Sequence, residues 1–469
     1  MPRRLFLSFA LVALCVFTTR VSGQSIKPRM LVLTDISNEP DDEESLVRYL
    51  VYSNELDTEG LIATTSTWLK KVPREDLIRR DIAAYDQVRP NLARHAAGYP
   101  TAGSLLTGTK TGQPGYGMAF VGEGMSTAGS RHIIDVVDRK DARPVWVSVW
   151  GGANTLAQAL FDVRASRAPK DVERFVAKMR VYTISDQDDA GPWLRREFPG
   201  LFYIVTPSSE DARDYPRATW TGISGDRLFK NGPRYRFDLV DNPWLITHVI
   251  ENHGVLGALY PKLAYIMEGD TPSFLGHLAP GLGWAVSPSY GGWGGRYALL
   301  RPAGESRPIW TNDNDRTADA VDVDGRTEQS DQATVWRWRE QFQNDFAARM
   351  NWSVSSSYAG ANHNPVVVLN GDRTRKVLTL RARGGSSVML TSRGSGDPDH
   401  NAVRRMWWIY PEAGTLHEAA TLSASEGVST VVRIPKVTSA GTIHVILEVE
   451  DDGEPHLVSY RRAVIEVAP

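Results

Sequence analysis

Between Met30 and about Leu299, short wholly apolar runs alternate with longer stretches in which apolar residues recur every three or four positions. That alternation predicts strand and helix units wound around a parallel sheet. Met30-Leu31-Val32-Leu33 reads as a buried strand, residues 43–54 carry Leu46, Val47, Leu50 and Val51 at helical spacing, and Leu61-Ile62-Ala63 reads as the next strand. Residues 144–149 form a further strand, followed by a helix through Leu156, Ala159 and Leu160; residues 180–184 and 201–205 complete the set. The predicted fold class is α/β, a mostly parallel sheet of five or more strands with helices on both faces.

After Asn351 the period drops to two. Residues 366–369, 377–380, 387–390, 405–410, 443–449 and 463–467 alternate apolar and polar positions between Gly and Pro breaks, which predicts a C-terminal all-β sandwich. Residues 301–330 are acidic and turn-rich and read as a connecting loop. Residues 334–350, with Trp336, Trp338, Phe342 and Phe346, read as one amphipathic helix packing back on the sheet. The expected division is a leader at 1–23, an α/β domain at 24–350 and an Ig-like β-sandwich at 351–469.

Composition changes this picture at the amino terminus. Arg3-Arg4, an apolar run from Leu5 to Phe17 and Val21-Ser22-Gly23 give the three-part pattern of a cleavable secretory signal, so the expected location is secreted or periplasmic. The run is too short for a stable membrane span, and no other stretch is long and apolar enough for one. The only cysteine, Cys15, lies in that leader, which excludes thiol catalysis and zinc-thiolate sites from the mature chain. The formal charge of -2 becomes more acidic once the leader arginines are lost, and no basic run occurs, so a nucleic-acid partner is not expected.

The strongest chemical signal is Leu33-Thr34-Asp35-Ile36-Ser37-Asn38-Glu39-Pro40-Asp41-Asp42-Glu43-Glu44, where the first strand ends and the first helix begins. Pro40 suits a first helical turn and acids there favour the helix dipole. So many acids at a concave sheet edge also repel one another unless a hard cation such as calcium sits among them. Farther on, Tyr290-Gly291-Gly292-Trp293-Gly294-Gly295-Arg296 frees the backbone around one tryptophan, and Trp293, bordered by Arg296, is the expected stacking surface for a ring.

Asp35, a short loop, Asp41-Asp42 and a helix resemble the Asp-x-Asp-Pro-Gly-x-Asp-Asp motif of nucleoside hydrolases, whose aspartates bind calcium. The loop is two residues longer here, and Leu33 replaces the first aspartate. The form Thr-Asp-Ile-Ser-Asn-Glu-Pro-Asp-Asp resembles a secreted nucleoside-hydrolase-like branch described in places as cellulose-binding, which usually ends in a β domain. Val149-Trp150-Gly151-Gly152-Ala153-Asn154 resembles the family's Gly-rich turn. The resemblance implies the Trp150 carbonyl as a calcium ligand and Asn154 as a substrate contact. Asp186 and Glu197 fall where the family holds its pentose, although Pro199 replaces an expected asparagine. Met267-Glu268-Gly269-Asp270 resembles the segment supplying the last calcium-binding aspartate, with Gly269 in place of a histidine that helps the base leave; His277 is a nearby substitute.

The resemblance thus implies calcium held by Asp35, Asp42, Asp270 and the Trp150 carbonyl, with Asp35 as general base. The substrate contacts are Asp41, Asn154, Asp186, Glu197, Trp293 and Arg296. The expected activity is hydrolysis of an N- or O-glycosidic bond in a carbohydrate or nucleoside-like molecule, with polysaccharide as a further partner. The alternative is a non-catalytic glycan-binding protein using the same cleft.

Overall fold

The computed structural model describes residues 27–37, 39–207, 221–225, 236–313 and 331–469; the expected leader at 1–23, Asn38 and most of the acidic loop lie outside them. The larger part runs β1 (Arg29–Thr34), α1 (Pro40–Val51), β2 (Asp57–Ala63), α2 (Glu75–His95), α3 (Ala102–Gly108), β3 (Thr109–Thr111), α4 (Ala128–Asp138), β4 (Val145–Val149), α5 (Asn154–Ser166), α6 (Pro169–Ala177), β5 (Met179–Thr183), α7 (Ala190–Glu197), β6 (Phe202–Ile204), β7 (Tyr297–Leu300) and β8 (Ile309–Asn312).

These strands form one sheet in the order β3-β2-β1-β4-β5-β6-β8-β7, parallel except for the β7 and β8 pair. β1 is buried along its whole length. Met30 and Val32 enter one apolar core while Leu31 and Leu33 enter the other, as expected of a central strand covered by helices on both faces. Strand order reverses around β1, with β2 and β3 on one side and β4, β5 and β6 on the other. The crevice at the carboxyl ends of β1 and β4 is therefore a topological switch point, where ligands of open α/β sheets bind.

The C-terminal part holds β9 (Leu378–Arg383), β10 (Ser387–Thr391), β11 (Val403–Ile409), β12 (Thr421–Leu422), β13 (Ser429–Arg433), β14 (Gly441–Asp451) and β15 (Val458–Ala468), in two sheets ordered β10-β13-β12 and β11-β14-β15-β9. Leu390 and Val432 from one sheet share a core with Trp407, Val445 and Ile465 from the other, giving the sandwich that the period-two pattern predicts.

Two elements differ from the sequence expectation. Residues 366–369 make only isolated bridges, Val366 with Gly396 and Leu369 with Asp372, because Asn370 and Gly371 at positive φ turn the chain at once. The single helix expected at 334–350 is two, Ala333–Trp336 and Arg339–Val354; at the restart Arg339 donates to the main-chain carbonyl of Ile223.

The two parts share an apolar seam. Tyr410, Ile446, Val458 and Tyr460 join the same core as Trp293, Trp338 and Phe342. The Arg462 guanidinium reaches across to the carbonyls of Leu282 (2.6 Å) and Gly291 (3.0 Å).

Candidate functional site

The end of β1 and the start of α1 place three acids at the switch point. Thr34 donates its hydroxyl to Asp42 and accepts the Ile36 N–H at 3.1 Å, so the strand end and the first helical turn hold each other. Pro40 opens α1, and Asp41 and Asp42 occupy its first turn, where unsatisfied helix N–H groups favour negative charge. Asp270 arrives from the far end of the domain. One carboxylate oxygen from each of Asp41, Asp42 and Asp270 lies within 4.8 Å of the others.

Asp35 adjoins this cluster. Its Oδ2 accepts from Ser66, three residues beyond β2, and Ser66 accepts the N–H groups of Trp68 and Leu69, both at 3.0 Å. The turn after β4 presses on the other oxygen: a Cβ at Gly151 would lie 2.5 Å from Asp35 Oδ1. The Trp150 carbonyl in that turn accepts from the Gln187 amide at 2.8 Å, while the Trp150 indole donates to Ser148 at 2.8 Å.

Among the described residues these acids have no cationic partner. Asp35 Oδ1, Asp41 Oδ1 and Asp270 Oδ2 are buried without a hydrogen-bond partner. Burial, followed by the neighbouring Glu39 and Asp35 charges, pushes Asp41 up to about 8. Burial likewise raises Asp35, and raises Asp42 and Asp270 well above the usual carboxylate range, the latter two with help from surrounding carboxylates. Oxygen donors without protein partners at a concave edge fit a hard divalent cation.

A second tier of residues, which the sequence reading assigned no role, sets Asp270 in place. Glu268 is fully buried, ion-paired with Arg48 of α1, and accepts from Tyr260 (2.8 Å) and Thr271 (2.7 Å). Its own N–H donates to Glu44 at 2.7 Å. The signal was present in the sequence: Arg48 is a cation inside the apolar run Leu46 to Val51, which requires a buried anion.

Asn154, at the start of α5, lies close by but is engaged in holding loops: its amide donates to the Gly115 carbonyl at 2.7 Å and its N–H to Asp188 at 3.0 Å. Asp188 accepts the N–H groups of both Asn154 and Ala190, and burial pushes it up to about 7.

Four expected substrate contacts are engaged with protein partners. Asp186 forms a two-pronged ion pair with Arg195, both contacts at 2.8 Å, which also bonds Glu305. Glu197 pairs with Arg164 (2.8 Å) and Arg196 (3.2 Å) on the surface, because α7 begins near the carboxyl edge and carries its last residue away. Trp293 is 2% exposed, packed edge-on against Phe342 and Tyr460 in the seam, so it presents no face to a ligand. The glycines beside it serve close backbone packing; a Cβ at Gly294 would come 2.6 Å from the Gly276 nitrogen. Arg296 is buried and paired with Asp313 at 2.8 Å. His277 is enclosed by Trp146 and Trp284, and burial pushes it down to about 3, so it stays neutral and does not supply the missing acid. Trp68, by contrast, is 51% exposed at the rim, two residues from Ser66.

Residues 29–297 match the family described as the nucleoside hydrolase-like domain of cellulose-binding Sde182, and residues 387–467 match the C-terminal domain of cellulose-binding protein Sde0182. No curated protein matches the sequence. Among solved structures, a nucleoside hydrolase-related hypothetical protein from Saccharophagus degradans, described as associated with carbohydrate metabolism, is 38% identical. The match covers 94% of this chain and 100% of that one, with a TM-score of 0.80. The type III effector protein XopQ, solved with adenosine diphosphate ribose, is 12% identical over 70% of this chain and 95% of its own, at a TM-score of 0.27 that supports no inference about ligand. Matched over both its parts and at this identity from end to end, the chain belongs to the Sde182 family, a nucleoside hydrolase-like domain followed by that family's C-terminal domain.

Proposed function

We propose that the chain is an exported, calcium-dependent hydrolase of the glycosidase type, acting on an N- or O-glycosidic bond of a carbohydrate-related substrate. The observation that carries this reading is the meeting of Asp41, Asp42 and Asp270 at the switch point, with unpartnered buried oxygens on Asp35, Asp41 and Asp270. Asp35, Asp42, Asp270 and the Trp150 carbonyl would hold the ion, leaving Asp41 for substrate hydroxyls. Calcium bound there supplies charge compensation and polarises a water for attack.

Asp35 is suited to general base. Ser66 fixes its Oδ2 and leaves Oδ1 without a partner, so the accepting oxygen is oriented before substrate arrives. The surrounding carboxylates favour positive charge developing on an oxocarbenium-like sugar. With no nucleophilic carboxylate assigned, inversion is expected. Trp68 offers an indole face at the rim for a sugar ring. The names of the family and of the Saccharophagus degradans protein support a carbohydrate as the substrate class.

The test is turnover of nucleosides and of plant or microbial oligosaccharides by purified protein with calcium. Asp35→Asn is expected to lower kcat by about 10²- to 10⁴-fold. If no substrate is turned over, or Asp35→Asn matches the wild type, the reading is wrong.

A second reading, a glycan-binding protein without chemistry, is favoured by Gly269 at the leaving-group position and by the enclosure of His277. It expects binding to insoluble cellulose that persists in chelator and is lost in Trp68→Ala.

A further inference from the structure

A second cluster of acids, unconnected with the cleft, lies at one end of the C-terminal sandwich. Three segments meet there: the loop 395–401, the turn between β14 and β15, and residues 362–364, which lead out of helix Arg339–Val354. Asp397 Oδ1 accepts the N–H groups of Asp399 (2.8 Å) and Asn401 (3.1 Å). Asp451 Oδ1 accepts the N–H groups of Gly453 and Leu457 and the Asn362 amide, each at 3.0 Å. Asn401 closes the circuit by donating to Asn362 Oδ1 at 2.9 Å.

Each aspartate therefore uses one oxygen heavily and the other not at all. Asp397 Oδ2 and Asp451 Oδ2 are both buried with no hydrogen-bond partner, and Asp451 as a residue is only 3% exposed. Among the described residues neither forms an ion pair. Neither neighbouring imidazole is bonded to the bare oxygens: His363 is bonded to Asp399 at 2.9 Å and His456 to the Asp451 main-chain carbonyl at 3.2 Å. Burial, with the Asp397 charge adding to it, raises the Asp451 carboxyl above its ordinary range. A buried carboxylate oxygen with neither donor nor cation is costly. Two of them joined through one hydrogen-bonded network are the kind of oxygen ligand a hard cation takes.

We propose that Asp397 and Asp451 bind a calcium-class divalent cation at this end of the sandwich, fastening the loop 395–401, the β14 to β15 turn and the 362–364 segment to one another. Neutral oxygens and water complete the shell of roughly six to eight ligands that calcium takes. The site is independent of the cleft and of any catalysis there.

The experiment uses full-length protein equilibrated with calcium chloride and freed of excess. Bound calcium is counted by elemental analysis, and thermal unfolding is followed with and without chelator. Asp451→Asn is expected to bind one calcium fewer than the wild type, whereas Asp42→Asn, which alters the cleft, retains this one. A neutral amide at 451 removes the repulsion with Asp397 while its oxygen keeps the three donors that Asp451 Oδ1 accepts, so in chelator Asp451→Asn should unfold no lower than the wild type while its calcium-induced rise in Tm shrinks. Asp397→Asn gives the same readings should Asp451→Asn not fold. Unchanged calcium content in both variants, or a lower Tm in chelator with the full calcium response kept, would show the network to be a structural hydrogen-bond cluster and overturn the proposal.

Discussion

Gly151 illustrates how little room the cleft leaves. A methyl group there would sit 2.5 Å from Asp35 Oδ1 and 2.8 Å from its carboxyl carbon, so Gly151→Ala must push the carboxylate aside. The expected result is a folded protein, normal by far-UV circular dichroism, whose calcium affinity in titration calorimetry falls at least tenfold. Arg48 carries the opposite lesson. Removing it in Arg48→Met strands Glu268 as a buried, unpaired charge, and urea unfolding should show a loss of about 3–5 kcal/mol. Asp35, Asp41 and Asp42 stood out in the sequence because acids at a strand end have few structural reasons to gather, whereas Asp270, which the fold brings to Asp41 and Asp42, came only from the resemblance to nucleoside hydrolases. The ion pairs of Asp186 and Glu197 could not be read from the sequence, because the arginines that claim them, Arg195 and Arg164, come from positions whose proximity only the fold decides.

At the scale of elements, period and position carried most of the information. β1, β4 and β5 were readable because a strand covered on both faces is mostly apolar, and α1 because its apolar residues recur at helical spacing. The strand expected at 366–369 failed where pattern is weakest, since a short apolar run does not reveal that Asn370 and Gly371 turn the chain immediately after it. The Gly-rich segment around Trp293 was read as a presenting loop; its glycines instead admit neighbouring backbone, a requirement invisible without knowing what packs on it. Trp293→Ala should therefore cost about 3–5 kcal/mol of stability in denaturant unfolding, as truncation of a buried tryptophan does, while leaving affinity for soluble oligosaccharide unchanged.

For the whole molecule, two enclosed histidines link stability to pH. Burial holds both His277 and His444 down to about 3, His444 with further help from the Arg462 charge. Each is thus neutral when folded and protonates in the unfolded chain near its ordinary value of about 6.5. Their contribution is complete above that value and declines as pH falls below it, by about 2 kcal/mol for each at pH 5. His277→Gln should make the stability difference between pH 7 and pH 5 smaller by about that amount, with unfolding by urea at saturating calcium as the measurement.

The guanidinium of Arg462 crosses the seam with no carboxylate paired to it among the described residues, held by the carbonyls of Leu282 and Gly291 and by the His444 ring. Close by, a methyl on Gly281 would lie 1.9 Å from the Tyr460 carbonyl oxygen. Such contact makes the sandwich a poor candidate for transplantation: severed after residue 376, the remaining protein would expose Trp293 and Trp338 to water and aggregate, while the excised tail would display a raw arginine-studded face. Accessory modules that ride on tethers tolerate shuffling between enzymes, and this one has forfeited that liberty.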